Sequence, residues 1–210
     1  MTLLTSTQFF SFLGAAMLVT VSPGPDNLMV LSIGASRGRT RGMAFGLGCA
    51  IGCLSHTLLA ALGVSALIKA SPVAFTVLKV LGGLYLIYMG WHALKSRGGA
   101  HVDPAQRNGE SPLKLFGRGL VANAINPKVV MFFLAFLPQF VNVSHGDVPW
   151  QIAQLGVTFT LQGALLFGLL GYFAGVIGQW LNRHERAGLW LDRFAGTIFA
   201  GLGLKLIVSR

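Results

Sequence analysis

The chain has 210 residues, of which 53% are apolar and 10% charged, and 16 Lys and Arg against 6 Asp and Glu give a formal net charge of +10. A soluble domain carries about 25% charged residues, so a soluble enzyme, a secreted disulfide scaffold and a disordered tail are set aside. What remains is an integral membrane protein whose basic excess points to nucleic acid, to acidic lipid, or to the enrichment of Lys and Arg in cytoplasmic loops.

A membrane-spanning helix needs about 20 mostly apolar residues, and six segments qualify: 8–34, 42–68, 73–94, 115–140, 151–179 and 189–208. Met1 to Phe10 contains no Lys or Arg. It therefore lacks the basic start of a cleaved signal peptide, and the first segment is expected to be retained as a span. The connections sort the cations. Arg37, Arg39, Arg41, Lys95, Arg97, Arg107, Lys114, Arg118, Arg183, Arg186 and Arg193 fall on one side, and Lys69, Lys205 and Arg210 on the other. This asymmetry places the first set in the cytoplasm and both termini outside. The net charge then reports topology and contact with acidic lipid headgroups, not nucleic acid. The stretch 95–114 is too short for a core and reads as a cytoplasmic tether. His101 and Asp103 within it have no metal-site company.

Three spans on each side of that tether give two halves of opposite orientation, an inverted repeat. Repeat one covers about 1–94 and repeat two about 115–210. Leu78, Gly83, Gly90 and Leu94 in the third segment match Leu191, Gly196, Gly203 and Ile207 in the sixth at a constant offset of 113. The expected fold is all-α, with six transmembrane helices of which the first and fourth are broken at proline motifs.

In the first segment Ser22-Pro23-Gly24-Pro25-Asp26-Asn27 cannot continue a regular helix, because each proline removes a donor and clashes with the preceding turn. Pro25 suits the first turn of a second half-helix, which leaves Asp26 and Asn27 near its positive end. A kink without a ligand is the plain alternative, but an ionisable group at membrane depth is a functional hypothesis by default. In the fourth segment Asn123-Ala124-Ile125-Asn126-Pro127-Lys128 contains a helix start, with Asn126 as cap and Pro127 at the first position. Lys128 lies roughly 20 Å into the span at 1.5 Å per residue. It needs a partner, and Asp26 is the acidic group at comparable depth. The pair is expected to form an interhelical ion pair, a binding site, or both. Two half-helix N-termini with Lys128 suit a carboxylate, and Asp26 suits an ammonium, so the site is shaped for a zwitterion.

Other buried polar groups rank lower. His56 relays protons, contacts substrate, or is a satisfied core histidine. Gln162, with Thr158 and Thr160, reads as interhelical glue. Cys49 and Cys53 stand four apart and cannot bridge within one helix; they read as small packing residues. No phosphate loop, zinc pattern or nucleophile elbow is present, and no cofactor is expected.

The Ser22-Pro23-Gly24-Pro25 stretch resembles the first signature of the lysine-exporter (LysE/RhtB) family. Asn126-Pro127-Lys128 resembles its second, and the run from Leu78-Lys79 through Leu84-Tyr85-Leu86 to Gly90-Trp91 is also similar. The resemblance covers the chain from Phe9 to Leu206. It implies a bacterial inner-membrane protein exporting an amino acid by proton antiport, with membrane lipid as its surroundings and a homo-oligomer as a possible assembly. A single notable acidic group favours a neutral substrate such as homoserine, threonine or leucine over lysine or arginine. Two other readings stand beside it. Cys49, Cys53 and His56 within eight residues of one segment would suit export of a heavy metal or divalent cation. A membrane thiol-disulfide carrier would require a closer Cys pair.

Overall fold

The computed structural model describes residues 3–96 and 109–208, so His101, Asp103, Arg97 and Arg107 lie outside the described residues. The described residues form helices α1 (Ser6–Val21), α2 (Pro25–Arg37), α3 (Arg39–Leu59), α4 (Ser65–Ala70), α5 (Pro72–Lys95), α6 (Pro112–Ala124), α7 (Pro127–Met131), α8 (Val148–Tyr172), α9 (Ala174–Arg183) and α10 (Glu185–Val208). A π-helical turn at Ala60–Val64 joins α3 to α4. A second, at Phe132–Phe136, extends α7 before short 3-10 turns at Leu137–Phe140 and Val143–His145.

The helix starts follow from their first residues. Proline occupies the beginning of α2, α5, α6 and α7, where its missing N–H costs nothing. Thr5 caps α1 reciprocally with Gln8. Ser71, Ser111 and Asn126 cap α5, α6 and α7 with side-chain oxygens. Between α2 and α3 the chain turns on one residue, Gly38, whose φ of +91° a side chain would oppose.

Three helical stretches are long and apolar enough to cross a membrane: Arg39–Leu67, Pro72–Lys95 and Val148–Tyr172. Pro112–Ala124 and Pro127–Phe140, which meet at 51°, make a fourth if taken as one broken span. The expected first and sixth spans differ for identifiable reasons. Helix α1 is apolar but only 16 residues long, because it ends at Val21, two residues before Pro23. In α10 the apolar run is interrupted by Asp192 and Arg193. The expected fifth span, 151–179, is divided at Phe173 into α8 and α9. Helix α6 begins at Pro112, so Lys114 belongs to its first turn and not to a loop.

Close approach of backbones sets the packing. A methyl group on Gly48 would collide with Phe116 O, and one on Gly119 with Phe45 O, so α3 and α6 touch without intervening side chains. Gly171 does the same for α8 against Gly42 and Met43 of α3, and Gly42 for α3 against Gly34 of α2. The large buried side chains gather mainly around α1, the segment after α7, and α8. There Phe12, Phe132, Phe133, Phe136 and Phe159 interlock, with ring centroids 5.0 Å apart for Phe132–Phe159 and 5.1 Å for Phe133–Phe159. In chain order the first interrupted segment runs from aromatic core through the interruption to Arg37, and the second from Lys114 and Arg118 through the interruption to the aromatic core.

Candidate functional site at the two helix interruptions

Helix α1 ends at Val21 and α2 starts at Pro25, leaving Ser22, Pro23 and Gly24 between them. A helix end leaves its last carbonyls without partners, and here they are claimed from several directions. The Ser22 amide and hydroxyl both donate to Leu18 O, at 3.0 and 2.6 Å. Asn27 Nδ2 reaches back to Thr20 O at 2.8 Å. Lys128 Nζ donates to Val19 O at 3.0 Å and to Ser22 O at 2.9 Å. A cation at a helix C-terminus is electrostatically favourable. The ammonium also sits 5.8 Å from the ring centre of Phe199. A methyl group on Gly24 would stand 3.0 Å from Lys128 Nζ, so glycine lets the cation approach the start of α2.

The expected Asp26–Lys128 ion pair is not what the structure builds. Both side chains are buried, at 3% and 4% exposure, yet no ion pair within 4.0 Å joins them among the described residues. Asp26 Oδ2 instead accepts from Asn123 Nδ2 at 3.0 Å. Asn123 Oδ1 lies 3.4 Å from Cys53 Sγ, and Asn123 O is 3.1 Å from His56 Nε2. The reason is local: the unpartnered carbonyl oxygens at the end of α1 stand within 3.0 Å of the ammonium and carry the partial negative charge of a helix C-terminus.

The second half-helix starts as expected, with Asn126 as cap and Pro127 at the first position. Asn126 Oδ1 accepts from the Lys128 amide at 3.0 Å, so the first turn of α7 caps itself. No side chain caps α2, whose cap residue is Gly24. The open helix start therefore lies in the first interruption alone. Three buried amide atoms near the interruptions have no partner: Asn27 Oδ1, Asn126 Nδ2 and Gln162 Oε1.

Ser22, Pro23, Gly24, Pro25, Asp26, Asn27, Asn123, Asn126, Pro127, Lys128, His56 and Gln162 thus lie in one connected region. Thr158 does not join it, because its hydroxyl turns back to Gln154 O. Sequence reasoning missed Thr20, which is 4% exposed. Its carbonyl holds Asn27 and its hydroxyl accepts from Gln162 Nε2 at 2.8 Å. A hydroxyl two residues before Ser22-Pro23 was the available signal. Cys53, expected as a packing residue, also brings its thiol to Asn123. Both cysteines are buried and unbridged, and among the described residues no three His, Cys, Asp or Glu side chains are grouped to hold a metal ion.

Two adjoining cavities border the first interruption. One, of about 200 Å³, is lined by Thr20, Val21 and Asn27 with apolar residues of α8 and α9, among them Leu166 and Phe167. The other, of about 440 Å³, shares Val21, Asn27, Leu170 and Ile177 and extends to Trp180 and Leu191. Asn27 is their one amide, and no acidic residue lines either.

A second polar cluster lies at the cationic ends. Glu110 Oε2 meets Arg37 at 2.8 Å and Arg118 at 2.7 Å, and Oε1 is 3.6 Å from Lys114. Arg41 Nε donates to Glu110 O at 3.1 Å. The Arg37 hydrogen bond is the main cause that holds the Glu110 carboxyl below its ordinary value of 4.5.

Comparison with known proteins shows the family. The family model of LysE type translocators matches residues 17–210. The chain is 34% identical to the threonine efflux protein of Escherichia coli K12, over 95% of this chain and 98% of that protein. It is 27% identical to a leucine efflux protein of an Enterobacter species, over 95% and 94%. It is also 32% identical to an uncharacterized membrane protein of Pseudomonas aeruginosa, over 97% and 96%. No solved structure matches the chain. With the match extending over nearly the whole length, the chain belongs to the family of LysE type translocators.

Proposed function

We propose that this protein is a secondary transporter that exports a neutral amino acid from the bacterial cytoplasm in exchange for protons. The observation that carries the reading is the burial of Asp26 and Lys128 within one hydrogen-bonded region at two helix interruptions. Irregular backbone and ionisable groups at membrane depth are kept where they line a substrate or ion path. The names of the threonine and leucine efflux relatives support a neutral substrate.

The working arrangement is six spans in two inverted repeats, with helices 1 and 4 broken, both termini outside and the Arg37–Glu110 end in the cytoplasm. Glycine contacts between α5 and α10 support it. Gly83 faces Gly203 O at 2.9 Å and Gly90 faces Gly196 O at 2.7 Å, measured to where a side chain would begin. At the offset of 113, Gly83 corresponds to Gly196 and Gly90 to Gly203. Each glycine thus meets the counterpart of the other, the crossing pattern that a two-fold axis generates. In the transport cycle Asp26 takes up a proton from outside, which favours the state that releases substrate. Lys128 and the open start of α2 attract the substrate carboxylate. Membrane lipid surrounds the bundle, and a homo-oligomer is compatible with it.

A growth screen in an export-deficient bacterium, run with toxic amino acids, their analogues and dipeptides, identifies the substrate. Asp26→Asn and Lys128→Ala should each abolish the protection while the protein still reaches the membrane. Normal export by both variants would sink the proposed site.

A further inference from the structure

We infer that the substrate's amino group is received by two neutral amide oxygens, Asn27 Oδ1 and Gln162 Oε1, held in place around Thr20, and not by the Asp26 carboxylate. The inference rests on the exporter reading and assigns one end of its substrate.

Both amides are oriented by their nitrogens. Asn27 Nδ2 donates to Thr20 O at 2.8 Å. Gln162 Nε2 donates to Phe159 O at 3.0 Å and to Thr20 Oγ1 at 2.8 Å. A backbone carbonyl only accepts, so the atom facing it must be the amide nitrogen, and each side chain has a determined orientation. The two oxygens are consequently turned elsewhere. Both residues are more than nine-tenths buried, at 8% and 7% exposure, and neither oxygen has a partner. Buried acceptors without donors are costly. Two of them anchored on one threonine call for a donor brought from outside, and a primary ammonium brings three N–H groups.

The place fits an amino acid. Asn27 borders both cavities, and Leu166, one turn beyond Gln162 on α8, lines the smaller. The remaining lining is apolar apart from Thr20. It accepts an aliphatic side chain and offers no carboxylate to a second ammonium. Asp26 cannot take the same role, since successive helix residues point about 100° apart. Its carboxylate is turned to Asn123 on α6.

The test uses the full chain reconstituted in liposomes, with leucine and threonine, the α-hydroxy acid analogue of each, and lysine as probes. The wild type should transport leucine or threonine, with lysine and the hydroxy acids competing poorly. Gln162→Met should raise the half-saturating concentration of the amino acid about tenfold, the scale of one hydrogen bond to a charged group. It should leave competition by the hydroxy acid unchanged. Gln162→Glu keeps an acceptor and should retain the preference for the amino acid. If the Met variant does not fold, Gln162→Glu, whose carboxylate can still accept from the Thr20 hydroxyl, decides the matter by that preference. Equal loss for amino acid and hydroxy acid in Gln162→Met would overturn the assignment, as would loss of the preference in Gln162→Glu. Failure of the wild type to move any amino acid would instead refute the exporter reading itself.

Discussion

Lys128 Nζ donates to Ser22 O at 2.9 Å, so a cation from the second interrupted segment closes the helix end in the first. Replacing Lys128 by Met removes two charge-assisted bonds and strands Val19 O and Ser22 O, at about 1–3 kcal/mol for each buried carbonyl. It also removes the desolvation cost of a buried ammonium, which is several kcal/mol in the opposite direction. The two effects largely cancel. Denaturation in detergent should show Lys128→Met within about 2 kcal/mol of the wild type, with transport lost. A folded Met variant that transports normally would remove Lys128 from the site.

Asp26→Asn separates charge from geometry. An amide at position 26 still offers an oxygen to Asn123 Nδ2, so the link between α2 and α6 survives. Only the titratable carboxylate is lost. In everted membrane vesicles with an imposed pH gradient, the variant should be stably inserted yet show no gradient-driven movement of substrate. Gradient-driven transport equal to the wild type would exclude Asp26 as the proton carrier.

Much of this region was legible in the chain, because proline acts locally. Pro23, Pro25 and Pro127 dictate where regular helix cannot run or readily begins, without reference to tertiary structure. The depth of Asp26 and Lys128 followed by counting. Their partners did not, because a side chain at a helix interruption chooses among several carbonyls and amides that pattern cannot rank. Lys128 took the end of α1 and Asp26 took Asn123. Thr20 was hidden for the same reason, since its role comes from what reaches it from α2 and α8. The glycines at offset 113 were legible as a repeat. That they meet one another across α5 and α10 required the structure.

Gly90 of that set and Gly168 outside it give predictions of opposite sign. A methyl group at Gly90 would lie 2.7 Å from Gly196 O and 2.8 Å from the Ala200 amide nitrogen. Backbone cannot yield as a flexible side chain would, so Gly90→Ala should destabilise the protein by about 1–3 kcal/mol in detergent unfolding. Gly168 in α8 has nothing within 4 Å of its would-be side chain. Gly168→Ala should stabilise by about 0.5–1 kcal/mol through helix propensity alone. Equal effects at both positions would show that α5 and α10 are not packed backbone to backbone.

Glu110 joins Arg37 at the end of α2 to Lys114 and Arg118 in α6, so it ties the cationic ends of the two interrupted segments. Its carboxyl is held below 4.5, chiefly by the Arg37 hydrogen bond. A depressed folded-state value means that the latch contributes fully above pH 4.5 and is lost as pH falls below it through the folded-state value. Hydrogen exchange of the first turn of α6 should therefore be steady from pH 7 to 5, after correction for intrinsic rates. It should rise below 4.5 and with added salt, which screens exposed pairs. Glu110→Gln should exchange faster already at pH 7 and lose both dependences. A wild-type acid step that persists in Glu110→Gln would place the responsible titration elsewhere.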